Sequence, residues 1–167
     1  MITVLKMESS IIFEQELVSL FPLFRDSLLE TDYMAIGEIV DIETLKKVLS
    51  NKNLIHFIAF EEELPIGYCQ VIYKEHSVNF NSGAKINALS VMPNKRSGGV
   101  GSMLLEKTIQ ELRKNKKVKN IYLDVVKENI VAKKLYENAG FIKVGELKNM
   151  FTKDEILMDI EIYSLLT

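Results

Sequence analysis

Along this chain the apolar positions move between two rhythms, alternation or short apolar runs for strands and a spacing of three to four for helices. Thr3–Met7 alternates and predicts a strand. Leu17, Val18, Leu20, Phe21 and Phe24 share a helical face and predict a helix over Glu14–Phe24, with Pro22 leaving its end open. Ser27–Gly37 has no clean period and is expected to be loop or broken helix. Ile42, Leu45, Val48 and Leu49 fall on one face of a helix that Asp41 can cap. Leu54–Phe60 reads as a strand, Glu61–Gly67 as a turn and Tyr68–Tyr73 as the returning strand of a hairpin.

Beyond a polar, loop-like stretch at Glu75–Gly83, Ala84–Val91 predicts a strand stopped by Pro93. Val100, Met103, Leu104, Leu105, Ile109 and Leu112 give Gly99–Lys114 a wide apolar helical face. Val118–Val126 predicts a strand, and Asn129–Ala139 a helix ended by Gly140. Phe141–Glu146 and Ile156–Tyr163 are the last two strands, joined by a polar loop containing Lys153 and Asp154. The order β-α-α-β-β-β-α-β-α-β-β implies an α/β domain on a mixed sheet, a meander first and strand–helix–strand crossovers after it. No repeat or linker divides the chain, so residues 1–167 are expected to be one domain.

Composition narrows the classes. A chain of 167 residues with 47% hydrophobic and 26% charged positions can bury a full core without metal or disulfide. A net charge of −2 supplies no general field for nucleic acid. The local cluster Arg113, Lys114, Lys116, Lys117 and Lys119 reads as a solvated helix end. Cys69, the single cysteine, lies in an apolar run and reads as a small buried hydrophobe. No His, Cys or carboxylate cluster has metal-ligand spacing, so no metal is expected, and His56 and His76 read as structural or surface residues. The N-terminus lacks the layout of a signal peptide, and no apolar run approaches the roughly 18 residues that span a bilayer. A cytoplasmic protein without membrane or nucleic-acid partners is expected, its oligomeric state left open with a homodimer as one option.

The stretch with the most chemistry is Arg96-Ser97-Gly98-Gly99-Val100-Gly101, between a predicted strand and a predicted helix. Glycines there leave backbone amides bare, and amides at a helix N-terminus carry partial positive charge without intrahelical partners. Together they suit a diphosphate, with Lys95 and Arg96 adding charge at the rim. Two common phosphate motifs fail. No Gly-Lys pair occurs, as a P-loop requires, and the third small residue of the dinucleotide fingerprint falls on Leu104.

Arg96-x-x-Gly99-x-Gly101, preceded by Leu89-Ser90-Val91-x-Pro93, resembles the acetyl-CoA motif of the GNAT superfamily of N-acetyltransferases. Asn129-x-x-Ala132-x-x-Leu135-Tyr136, followed by Gly140-Phe141, resembles the family's second signature, in the expected order. The resemblance spans about residues 55–163 and implies a mixed, mostly antiparallel central sheet with a splayed strand pair and helices on both faces. It implies acetyl-CoA as co-substrate and no metal. Backbone groups of Leu89 and Val91 would pair with the pantetheine arm. Amides of Arg96, Ser97, Gly98, Gly99, Val100, Gly101 and Ser102 would hold the pyrophosphate. Asn129 would bond the arm, besides capping its helix, and Ala132 would leave room beside it.

Tyr136 takes the position of the family's general acid. Attack of an amine on the thioester passes through a tetrahedral intermediate, and a phenol of ordinary pKa about 10 can protonate the leaving thiolate. A backbone N–H of the splayed strand, that of Val91, would polarise the carbonyl. Some family members carry a glutamate base on that strand, but the matching positions here are Asn87, Ala88 and Ser90. The base is left open among Glu30, Asp32, Glu38, Glu75 and a water chain. The acceptor, an amine of a small molecule or peptide, would meet residues 13–50 and 147–155, whose Glu30, Asp32, Glu38, Asp41, Asp154 and Glu155 can attract a cation. The competing readings are a catalytically silent acetyl-CoA-binding regulatory module and, behind it, a nucleotide-binding enzyme.

Overall fold

Two rules fix most of the architecture, period-two alternation in the strands and an apolar stripe on each helix. A computed structural model describes residues 1–7, Leu20, residues 41–74 and residues 82–167. β1 (Ile2–Met7), β2 (Leu54–Glu61), β3 (Leu64–Ile72) and β4 (Gly83–Val91) form an antiparallel meander. The helices are α1 (Ile42–Leu49), α2 (Val100–Lys114) and α3 (Ile130–Asn138), and a 3₁₀ turn at Pro93–Lys95 leads from β4 toward α2. β5 (Asn120–Val126) runs parallel to β4, and β6 (Ile142–Lys153) and β7 (Ile156–Leu166) complete a sheet ordered β1-β2-β3-β4-β5-β7-β6.

Each face of the sheet carries its own core. On one, Phe57, Cys69, Val71 and Ile121 pack under Leu104, Leu105 and Ile109 of α2 and Tyr136 of α3. On the other, Ile58, Tyr68 and Ala88 pack under Leu45 and Leu49 of α1, together with Leu20. This is the mixed, mostly antiparallel sheet with helices on both faces. Asp41 caps α1, its Oδ1 accepting from the Thr44 amide at 2.7 Å. Leu20 is helical and buried; the rest of the expected helix at Glu14–Phe24, the Ser27–Gly37 segment and residues 75–81 lie outside the described residues.

Two expected connections turn out to be strand. The turn placed at Glu61–Gly67 shrinks to Glu62-Glu63, with Glu61 facing Leu64 and Glu62 at φ 57°. Pro65 pairs with Phe60 near the start of β3, and the register shifts just beyond it, where Ile66 has no counterpart on β2. The loop placed at residues 147–155 is mostly β6, which continues to Lys153. Asp154 and Glu155 alone make the turn, with φ of 49° and 65°, the pairing of left-handed residues that closes a two-residue hairpin. Polar residues hid this strand, because Lys148, Asn149 and Met150 bulge out opposite Asp159, which binds Lys148 Nζ and the Asn149 amide.

Gly67 sets how closely α2 meets the sheet. A Cβ there would lie 2.8 Å from Leu104 Cδ1 and 3.2 Å from the Ser90 carbonyl. Only a bare α-carbon lets the first turns of α2 pack this near to β3.

Candidate functional site

The parallel pairing of β4 with β5 lasts three residues, Gly83 to Lys85 against Asn120 to Tyr122, and then stops. Beyond it the strands part. A bulge drives the parting: Gln70 of β3 faces Ala88 and Val71 faces Ile86, so Asn87 has no counterpart. An extra residue in one strand bends it and shifts which side chains face which side. Ala84 and Ile86 face the α2 core before the bulge; Leu89 and Val91 face it afterwards, and Ala88 turns to the α1 core.

The gap is a cleft of about 180 Å³. Leu89 and Asn87 line it from β4, Asp124 and Val126 from β5, and Asn129, Ala132 and Tyr136 from α3 and its cap. Phe151 and Ile160, from the β6–β7 hairpin, reach the same space. The expected site residues Leu89, Asn129, Ala132 and Tyr136 are therefore brought together, and Val91 lies farther along β4 toward the glycine loop.

Backbone polarity on β4 can be followed by its ladder. The Met92 amide donates to the Ile66 carbonyl at 2.9 Å. Hydrogen-bonding pairs alternate in an antiparallel ladder, so Leu89 and Val91 turn their backbone groups away from β3 and toward the cleft side. The Val91 carbonyl accepts from Arg96 Nε at 3.1 Å, which folds the arginine back over the end of the strand.

The glycine loop has the geometry of an anion nest. Ser97 and Gly99 have φ of 63° and 82°, and Gly99 stands as the N-cap of α2 with no side-chain cap. A Cβ on Gly99 would meet nothing within 4 Å, so its backbone angle, and not crowding, calls for glycine. The first amide bonded at this end of α2 is that of Met103, to the Gly99 carbonyl at 3.0 Å. Amides from Ser97 through Ser102 have no carbonyl partner among the described residues. The Arg96 amide differs from expectation: it closes the 3₁₀ turn on the Pro93 carbonyl at 3.3 Å. Lys95, expected at the rim, is ion-paired with Glu61.

α3 is pinned so that Tyr136 faces the cleft. Lys133 Nζ lies 3.1 Å from Glu161 of β7, and the Tyr163 hydroxyl donates to Glu137 at 2.9 Å. Asn129 Oδ1 accepts from the Ala132 amide at 3.1 Å, leaving its Nδ2 for the cleft. Tyr136 is buried and stacks edge-on against Phe141, with ring centroids 6.0 Å apart. Burial raises its pKa, and the nearby Cys69 and Asp124 raise it further. The phenol thus holds its proton.

Two cleft groups escape a reading of the sequence. Asp124 is ion-paired with Lys85 across the mouth of the splay. The alternation of Ile121, Leu123 and Val125 already puts Asp124 on the opposite side of β5; its meeting with Lys85 depends on a parallel register that sequence does not reveal. Behind Asn87 runs a buried polar chain. Asn87 Nδ2 donates to Gln70 Oε1 at 2.7 Å, Gln70 Nε2 donates to the Tyr68 hydroxyl at 3.0 Å, and that hydroxyl lies 2.7 Å from His56 Nδ1. Burial pushes the His56 pKa down to about 4, and its Nε2 lacks a well-aligned partner among the described residues although the Val48 carbonyl favours its proton. Cys69 is buried, its thiol pushed up to about 12 by desolvation.

Of the open candidates for a base, Glu30, Asp32, Glu38 and Glu75 lie outside the described residues, as does His76. Among the described residues no three His, Cys, Asp or Glu side chains converge as for a metal ion, and no helix is long and apolar enough to cross a membrane.

Comparison with known proteins agrees with this geometry. The fold matches a GNAT-family acetyltransferase from Streptococcus pneumoniae at TM-score 0.86 and 19% identity, over 100% of both chains. It matches a ribosomal-protein-alanine N-acetyltransferase from Brucella melitensis at 0.83 and 22% identity, over 99% of each. A Salmonella typhimurium structure holding its cofactor acetyl-CoA matches at 0.83 and 15% identity, over 99% of this chain and 93% of that one. No protein of curated function matches the sequence. The model of the Acetyltransferase (GNAT) family matches residues 17–141. With a splayed β4–β5 pair, an unpaired row of amides at α2 and most of the chain inside that match, the protein belongs to the acetyltransferase (GNAT) family and is an acyltransferase.

Proposed function

We propose that this chain transfers the acetyl group of acetyl-CoA to a primary amine of a small molecule or peptide. The observation that carries this reading is the splay itself. One cleft joins strand backbone, a proton-holding phenol and a carboxylate, and farther along β4 the chain runs into the row of unpartnered amides at the start of α2. Acetyl-CoA supplies the activated acyl group. Amides of Ser97 to Ser102 would hold its pyrophosphate, and Arg96 would add charge through its side chain. Leu89 and Val91 would offer backbone groups to the pantetheine arm, Asn129 Nδ2 would donate to it, and Ala132 would leave it room.

Tyr136 is the general acid in this reading, giving its proton to the departing thiolate, and the Val91 N–H polarises the acyl carbonyl. Asp124 fills the place left open for the base. It is a carboxylate on the cleft wall, close enough to Tyr136 to act on its charge. It would bind an incoming ammonium and pass its proton to water. Asp41, one of the acidic residues expected to greet the acceptor, is engaged in capping α1. The name of the Brucella relative supports keeping peptide amines among the acceptors.

The test is release of CoA thiol from acetyl-CoA across a panel of polyamines, amino acids, aminoglycosides and peptides. Turnover with a primary amine supports the reading. Tight acetyl-CoA binding without acetylation of any amine would turn it into a silent binding module.

A further inference from the structure

One primary amine already stands in the cleft. Lys85 sits at the last pair joining β4 to β5, opposite Tyr122, two residues before the bulge. Its Nζ is ion-paired with Asp124, and the two side chains remain 28% and 41% exposed. Both line the cleft that holds Tyr136 and Asn129. A surface lysine roams over many rotamers, whereas this one is held by a carboxylate between two strands. Its partner is the same carboxylate assigned above to the acceptor amine. Confinement of this kind replaces a bimolecular encounter with a local one.

We infer that Lys85 is a self-acetylation site, an internal acceptor that competes for Asp124 with external amines. The inference rests on the acetyl-CoA reading of the cleft. In the step, Lys85 Nζ gives up one proton to Asp124 and its lone pair forms an N–C bond to the thioester carbonyl carbon. The C–S bond breaks. The sulfur takes a proton from Tyr136, which recovers one from water, and Nζ loses a second proton as the amide forms. The products are an Nε-acetyl-lysine, CoA thiol and one proton released to solvent. Acetylation removes the Lys85 charge, so Asp124 loses its counter-ion and becomes free for an external ammonium.

The experiment incubates the full chain with acetyl-CoA and no acceptor, and maps acetyl groups by peptide mass spectrometry over time. Lys6 and Lys52, both exposed, serve as internal references. Lys85 is expected to be acetylated at least about tenfold faster than either. Lys85→Arg keeps the charge and should abolish the fast phase, and Asp124→Asn should slow it about 100-fold. A second readout needs no transfer. CoA itself, lacking the acetyl group, should protect Lys85 from an amine-reactive ester while Lys6 and Lys52 keep reacting. Acetyl-CoA binding is followed separately by calorimetry. Binding with Lys85 labelled no faster than the references, or with no protection by CoA, overturns the self-acetylation alone. Absence of binding overturns the functional reading and this inference together.

Discussion

Asn87 hangs from Gln70: its Nδ2 donates to Gln70 Oε1 at 2.7 Å at the one position where β4 carries a residue that β3 does not match. The bond ties the bulge to a polar chain that passes through Tyr68 to His56, inside the α1 core. The bulge is therefore fixed from behind, and the cleft it opens has a rigid wall.

Tyr68→Phe tests that wall. The substitution keeps the ring but leaves Gln70 Nε2 and His56 Nδ1 buried without the hydroxyl. Stranding buried polar groups costs about 1–3 kcal/mol. Urea unfolding should show a loss of that size, with acetyl-CoA affinity changed less than in variants of the glycine loop. An unchanged urea midpoint would mean that the chain adds nothing to stability.

His56 makes stability depend on pH in a window of its own. Its folded pKa, about 4, lies below the ordinary 6.5 because burial disfavours the imidazolium. Between these values the unfolded chain binds a proton that the folded chain refuses. Stability is then full above about pH 6.5 and falls as pH drops toward 4, by up to about 3 kcal/mol. Urea midpoints from pH 7 to 5 should decline in the native protein and stay flatter in His56→Gln. Equal slopes would assign the decline to other groups.

Gly99→Ala probes the amide row without touching a side chain. A Cβ at φ 82° costs about 1 kcal/mol and is relieved by turning the peptide, which redirects the amides. CoA should bind at least about tenfold weaker, near 1.4 kcal/mol. Pantetheine, which has no pyrophosphate, should bind almost as before. Equal losses for both ligands would move the phosphate site elsewhere.

Tyr136→Phe separates chemistry from binding. The ring keeps its edge-on packing against Phe141, so the fold should persist. The acetylation rate should fall about 100-fold or more, the usual weight of a positioned proton donor, with the acetyl-CoA dissociation constant nearly unchanged. A native rate would take Tyr136 out of the mechanism.

The two segments proposed to hold the donor were legible in the sequence. The Arg96–Gly101 spacing and the Asn129–Phe141 segment mark local turns, and a local turn is written in the residues that make it. The alternation from Thr3 to Tyr163 likewise placed the strands other than β6 to within a few residues. What stayed hidden depends on register. Asp124 meets Lys85, and Asn87 meets Gln70, only after strands distant in sequence have aligned. The β6–β7 hairpin was masked for a related reason: its bulge breaks the alternation at Lys148–Met150, and its turn residues, Asp154 and Glu155, are charged residues held at positive φ in place of the glycine or asparagine that announces such a turn.

The three-residue pairing between β4 and β5 has a mechanical consequence. It makes the sheet two panels, β1 to β4 and β5 to β7, stitched by a short seam at Gly83–Lys85 and by the helices that cross between them. A ligand lying along the open edge of β4 would extend that stitching as a missing strand does. Amide hydrogens of Leu89 and Val91 would then exchange with solvent more slowly, and the two panels would unfold more nearly as one unit.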